Sequence, residues 1–137
     1  MSSSLHFMSK IRQFILLCMA TVLVIDDEES VRAYLVALIR RFGYEVETVD
    51  CATAALERLA QSSYGMVIAD ICLPDAPVSV QWTQQLLAVA GQTPIVLISG
   101  APTPELEQLA KSGQVRAFLS KPFELAFIKN ILQEVLR

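Results

Sequence analysis

From Thr21 onward, the apolar and polar positions follow two alternating rhythms. Thr21 to Ile25 is a short, β-branched, almost wholly apolar run, the pattern of a buried strand. From Glu29 to Phe42 the period changes. Val31, Tyr34, Leu35, Leu38, Ile39 and Phe42 recur at three- and four-residue intervals, which predicts a helix with one apolar face. Gly43 stands where a helix commonly ends in a left-handed residue. The same alternation predicts strands over 44–49, 64–70, 95–99 and 115–119. Helices are predicted from Asp50 as cap to about Gln61, from Val80 to Ala90, from Pro104 to about Ser112, and from Phe123 to Leu136. Thr103 and Pro104 are a natural cap and first residue for the fourth of these.

These are five β/α units in about 117 residues. Strands apolar on both faces imply a parallel sheet covered by helices on two sides. Right-handed crossovers make such a sheet doubly wound. Ligands of such sheets bind in the crevice beyond the carboxyl ends of the strands. Residues 1–19 are expected to be an N-terminal extension, loose or helical, and 20–137 the domain itself. Within the extension, Phe7, Met8, Ile11, Phe14, Ile15 and Cys18 recur at helical spacing. The apolar run ending at Ile25 falls short of the ~20 residues that span a bilayer, so neither export nor a membrane span is expected.

Composition narrows the function. The chain has 137 residues, 53% hydrophobic and 18% charged, which suits one folded domain rather than a disordered tail. Net charge is −3, and without Lys10 and Arg12 of the extension it is −5. Direct nucleic-acid binding wants a basic face and is not expected. Cys18, Cys51 and Cys72 are an odd set with no CxxC, so reduced thiols and a cytoplasmic location are expected. His6 is the only histidine, which leaves no histidine-rich metal site and no Ser-His-Asp triad. The sequence has no GxxxxGK[ST], no GxGxxG after the first strand and no G-x-S-x-G.

Polar chemistry gathers at the strand ends. The first strand ends at Asp26-Asp27, the third at Asp70, the fourth at Ser99, and the fifth runs out at Ser120-Lys121. Three carboxylates brought together repel one another unless a cation compensates. Magnesium takes octahedral oxygen ligands and keeps several waters. Asp27 and Asp70 are expected as direct ligands, Asp26 as direct or through water, and the backbone carbonyl of Cys72 as a third protein ligand. The Lys121 ammonium can pair with Asp70 and then follow phosphoryl oxygens. Ser99 offers a hydroxyl to one of those oxygens.

These stretches resemble the receiver domain of two-component response regulators over about residues 20–137. The resemblance is carried by Val22-Leu23-Val24-Ile25-Asp26-Asp27-Glu28, Val67-Ile68-Ala69-Asp70-Ile71-Cys72-Leu73-Pro74, Ile95-Val96-Leu97-Ile98-Ser99-Gly100 and Phe118-Leu119-Ser120-Lys121-Pro122-Phe123. It implies the flavodoxin-like strand order 2-1-3-4-5, an order the same family illustrates in general accounts of the fold. It implies Asp70 as phosphoacceptor, Asp26 and Asp27 as the metal-binding pair, and Lys121 as the family's lysine. Ser99 and Phe118 become the switch residues, and Lys121-Pro122 a cis peptide. The implied cofactor is Mg2+, with Mn2+ as substitute. The implied donor is a sensor histidine kinase or a histidine phosphotransfer protein in a phosphorelay. A homodimer or output partner would use the face made by the helix from Pro104, the last strand and the last helix. Catalysis would be confined to the domain's own phosphorylation and dephosphorylation.

The sequence also departs from the family. Pro77 and Val78 stand where many members have Asp-Gly, Pro102 and Pro104 crowd the loop after Ser99, and Gly113 lies five residues before Phe118. These changes keep a second reading open: a phosphorylation-independent interaction module with a degenerate switch. A small enzyme acting on a phosphate ester is a third, but the pocket leaves few groups to select a substrate.

Overall fold

The computed structural model describes the backbone of residues 2–19, 21–101 and 103–136, and every side chain of these except 2, 3, 13–19 and 79. In chain order the elements are α1 (Ser2–Met19), β1 (Thr21–Ile25), α2 (Glu29–Arg41), β2 (Glu45–Val49), α3 (Ala52–Gln61), β3 (Met66–Asp70), α4 (Ser79–Ala90), β4 (Ile95–Ser99), α5 (Pro104–Lys111), β5 (Ala117–Ser120) and α6 (Leu125–Val135). All neighbouring strands are parallel, in the order β2-β1-β3-β4-β5. This is the doubly wound, flavodoxin-like sheet expected from the sequence.

Alternate strand residues feed two cores, because successive side chains of a strand point to opposite faces. Leu23, Ile25, Val67, Ala69, Ile95 and Leu97 lie in one, with Ala55 and Leu59 of α3, Trp82 and Leu86 of α4, and Leu106 of α5. Val22, Val24, Met66, Ile68, Val96 and Ile98 lie in the other, with Leu35, Leu38 and Ile39 of α2 and Ile128 and Leu132 of α6. Every residue of β3 and β4 is buried, including Asp70 and Ser99 at their carboxyl ends.

The helix ends follow local chemistry. After α2, Gly43 has φ +91°, its N–H donates to the Arg40 carbonyl at 2.9 Å, and the Tyr44 N–H donates to that of Ile39 at 3.2 Å. That is a Schellman ending at the expected glycine. Thr103 caps α5, its hydroxyl oxygen accepting the Leu106 N–H at 3.3 Å. α3 departs from expectation. Its cap residue is Cys51 rather than Asp50, and no side chain of its own caps it. Instead Asp75, from the loop after β3, accepts the Ala52 N–H at 2.8 Å and the Thr53 N–H at 3.0 Å. A distant carboxylate thus satisfies the donors that sequence reading assigned to a neighbour.

Other boundaries also shift inward. β3 starts at Met66 rather than Tyr64. The buried Tyr64 instead sends its hydroxyl to the Glu47 carboxylate at 2.6 Å, and burial with that carboxylate pushes the phenol up to about 12. β5 starts at Ala117, after Gly113 with φ +80°. α6 starts at Leu125, after a cis Lys121-Pro122 peptide. α1 is helical over Ser2–Met19, with Leu5, Phe7 and Met8 exposed. The side chains of Phe14, Ile15 and Cys18, and the whole of Pro102, lie outside the described residues. No helix among those described is long and apolar enough to cross a membrane.

Two measurements check this local chemistry. Gly43→Ala places a Cβ in the left-handed region and is expected to lower stability by roughly 1–2 kcal/mol, read from urea unfolding. The Asp75 carboxyl is held below its usual value by the Ala52 and Thr53 N–H groups. A lowered folded-state value means that its stabilisation is present above the ordinary carboxylate range and is lost as pH falls through the folded value. Asp75→Ala is therefore expected to speed amide exchange at Ala52 and Thr53 at neutral pH. It should leave their exchange unaltered once the carboxyl of the parent is protonated.

Candidate functional site

The carboxyl ends of β1 and β3 are adjacent because β1 pairs with β3 up to Ile25 and Ala69. The next residues in each strand direction are Asp26 and Asp70, so parallel register alone brings two acids side by side. Both are buried, at 1% and 3% exposure, while Asp27 is exposed. One carboxylate oxygen from each of Asp26, Asp27 and Asp70 lies within 4.8 Å of the others.

Lys121 enters from the far side of the sheet. Its own N–H donates to the Ser99 carbonyl at 2.8 Å, which ties the end of β5 to the end of β4. Its Nζ lies 3.2 Å from Asp26 Oδ2, 3.2 Å from Asp70 Oδ2 and 3.2 Å from Glu28 Oε1. Burial pulls the ammonium's pKa down, but the Asp70 and Asp26 charges outweigh it and hold it above the ordinary lysine value.

Asp26 is fastened on nearly every side. Its carbonyl accepts from Arg32 Nη1 at 2.8 Å, and its Oδ1 accepts the Glu28 N–H at 2.8 Å. Its buried Oδ2 has the Lys121 charge nearby but no hydrogen bond directed at it. Burial, aided by the Asp70 charge, raises the Asp26 pKa despite the Glu28 N–H and Lys121. A buried carboxylate oxygen met only by the Lys121 ammonium at 3.2 Å, next to two further carboxylates, has the oxygen chemistry that suits a hard divalent cation.

Asp70 is held at both carboxylate oxygens: Oδ1 accepts the Cys72 N–H at 3.0 Å and Oδ2 the Lys121 ammonium at 3.2 Å. Its backbone carbonyl accepts the indole N–H of Trp82 at 3.1 Å. Ser99 is buried at the end of β4, with its Oγ accepting the Ala101 N–H at 3.0 Å. Phe118 is half-buried on β5. It lines a hollow of about 290 Å³ with Pro122, Phe123, Glu124 and Phe127. An apolar groove of about 420 Å³ runs beside Lys121, walled by Val31, Tyr34, Pro122 and Phe123.

The structure therefore gathers Asp26, Asp27, Asp70 and Lys121, and sets Ser99 on the neighbouring strand end. Sequence reading missed Glu28, Arg32 and Trp82 as members of this network. Glu28 was open to view, since it directly follows the acid pair. Arg32 and Trp82 act through backbone carbonyls, for which a side-chain pattern carries no signal.

A parallel α/β sheet with an acid cluster and one lysine at its carboxyl edge is the arrangement the sequence led one to expect of a receiver domain. Comparison with known proteins agrees. Residues 22–133 match the family model for the response regulator receiver domain, and the chain belongs to that family. It is 30% identical over 118 residues to the sensory/regulatory protein RpfC of Xanthomonas campestris pv. campestris, covering 83% of this chain and 16% of RpfC. Among solved structures, chemotaxis protein CheY4 of Vibrio cholerae superposes with a TM-score of 0.72 at 28% identity, covering 85% of this chain and 98% of CheY4. The receiver domain of sensor histidine kinase PA1611 from Pseudomonas aeruginosa, with magnesium coordinated in its active-site cleft, gives 0.73 at 21% identity, covering 85% and 97%.

The raised Asp26 pKa has a consequence for stability. A carboxyl whose folded-state value exceeds its unfolded value makes the fold less stable as pH rises from the unfolded value through the folded one. Asp26→Asn keeps an oxygen for the Glu28 N–H and removes that penalty. The variant is expected to show a flatter pH dependence, with a higher urea midpoint than the parent at neutral pH, read in metal-free buffer.

Proposed function

We propose that this receiver domain accepts a phosphoryl group on Asp70 from a phosphohistidine of a sensor kinase or histidine phosphotransfer protein. The observation that carries the reading is the Asp70 carboxylate, buried, with one oxygen held by Lys121 and the other by a backbone N–H. Asp26, Asp27, Asp70 and the Cys72 carbonyl would hold Mg2+, or Mn2+ in its place, and the convergence of three carboxylate oxygens within 4.8 Å of one another supports that assignment. Bound there, the ion supplies positive charge to the phosphoryl oxygens during transfer.

The step is an in-line displacement. An Asp70 oxygen forms a bond to phosphorus as the phosphorus–nitrogen bond to the donor imidazole breaks. The bonding pair leaves with the imidazole nitrogen, and an acyl phosphate remains on Asp70. Lys121 turns from the Asp70 carboxylate to a phosphoryl oxygen, its charge now set against the new one. The Ser99 hydroxyl, whose oxygen accepts the Ala101 N–H, donates its O–H to a second phosphoryl oxygen. Water attack on phosphorus, breaking the bond to the Asp70 oxygen, releases phosphate and restores the carboxylate.

The output follows from the same movement. Ser99 is drawn toward the added phosphoryl group, and Phe118 turns inward from the hollow it lines. The face built from α5, β5 and α6 then changes its preference for a second copy or an output partner. The half-buried position of Phe118 supports this reading, since a fully packed ring would have no room to be displaced.

Incubation with acetyl phosphate and magnesium chloride is expected to add about 80 Da to the intact mass, one phosphoryl group. Asp70→Asn should abolish the gain, and chelation of the metal should suppress it in the unsubstituted chain. An adduct that persists in Asp70→Asn would place the acceptor elsewhere.

A further inference from the structure

Trp82 is the only tryptophan of the chain. It sits in the first turn of α4 and is fully buried, in the core that also holds Ala69, Ile71, Leu73 and Leu86. Its ring nitrogen nevertheless reaches out of that core to the Asp70 carbonyl, twelve residues earlier, at 3.1 Å. The indole is a donor only, so this is the one hydrogen bond it can make.

The place of the bond matters. The last pair between β3 and β1 is Ala69 with Ile25, and Asp70 lies one residue beyond it. On the β4 side the sheet continues, with the Ile71 N–H donating to the Ile98 carbonyl at 3.0 Å. Asp70 is thus held by β4 on one side and by an indole where the β1 ladder has run out. A buried carbonyl there would otherwise lack a partner. Asp70 also bears the carboxylate that must meet phosphorus in line, and small displacements of a reacting atom are costly.

We propose that Trp82 is a positioning residue for phosphoryl transfer: its indole N–H fixes the Asp70 backbone, and through it the reach of the Asp70 carboxylate. This deepens the phosphoacceptor reading and rests on it. The bond couples the acceptor to α4, the helix that follows the loop carrying the Cys72 carbonyl. The core ring keeps the peptide from drifting while Lys121 and the Cys72 N–H set the two oxygens. Trp82 touches no phosphoryl oxygen and adds no charge. Its effect falls on the rate of the bound complex, not on how tightly a small phosphodonor binds.

The test removes the donor and keeps the shape. Trp82 is replaced by benzothienylalanine, in which sulfur stands for the ring N–H, and in parallel by Trp82→Phe. Phosphorylation of the full chain is followed by intact mass across acetyl phosphate concentrations at fixed, saturating magnesium chloride, well below the melting temperature. The benzothienylalanine protein is expected to show a maximal rate lower by about 3- to 10-fold, the scale of one lost hydrogen bond. Its half-saturating acetyl phosphate concentration should be unchanged, and a melting midpoint close to that of the parent should accompany it. Trp82→Phe should show the same split with a larger fall in melting. An unchanged maximal rate in the benzothienylalanine protein overturns the proposal. So does a fall expressed in the half-saturating concentration, or one accounted for by an unfolded fraction. If the unsubstituted chain itself gains no mass, the phosphoacceptor reading fails, and the positioning role fails with it.

Discussion

One ammonium group set among three carboxylates holds the functional edge of this molecule together. Lys121 Nζ stands 3.2 Å from oxygens of Asp26, Glu28 and Asp70, two of which belong to buried side chains. Without that charge the ends of β1 and β3 would repel, because parallel register forces Asp26 and Asp70 into adjacent places. The pairing costs desolvation on both sides, and its attraction must offset that cost. Four carboxylates, Asp26, Asp27, Glu28 and Asp70, against Lys121 and Arg32 leave the cluster negative. That surplus suits a further, divalent charge, and it makes the edge responsive to any group that changes the balance.

The rest of the fold can be understood as support for this edge. Two apolar cores clamp the sheet from both faces, so the strand ends cannot slide without moving helices on each side. The Lys121 backbone is tied to Ser99 across β4 and β5, and the Asp26 backbone to Arg32 of α2. Strong burial of β3 and β4 places a carboxylate and a hydroxyl where water is scarce, and electrostatic effects there are larger than at an open surface.

Much of this was legible in the sequence because it depends on periodicity. β1 and β4 begin and end where their apolar runs do, and the break at Gly43 marks the end of α2. The acids at strand ends could be read because parallel strands of similar length must end together. What escaped notice depended on contacts between distant segments. Asp75 caps α3 from 23 residues away, a pairing that no local cap pattern announces. Trp82 reads as a core residue from its spacing, and its ring nitrogen's target is set by how α4 lies on the sheet. Tyr64 has the composition of a strand residue, yet its hydroxyl is drawn to Glu47 and the strand begins later.

The Asp75 clamp also changes the nature of the loop after β3. Beside a backbone turn in which the Ala76 N–H donates to the Leu73 carbonyl at 3.2 Å, the loop ahead of Pro77 and Val78 is pinned by an exposed carboxylate. Such a pin subdivides the loop and trims the conformations open to it. It is also an ionic fastening in contact with solvent, weakened by dissolved salt and by acid. The rim beside Asp70 is thereby as well ordered as the surrounding electrolyte allows, so its rigidity is partly a property of the solution and not of the chain alone.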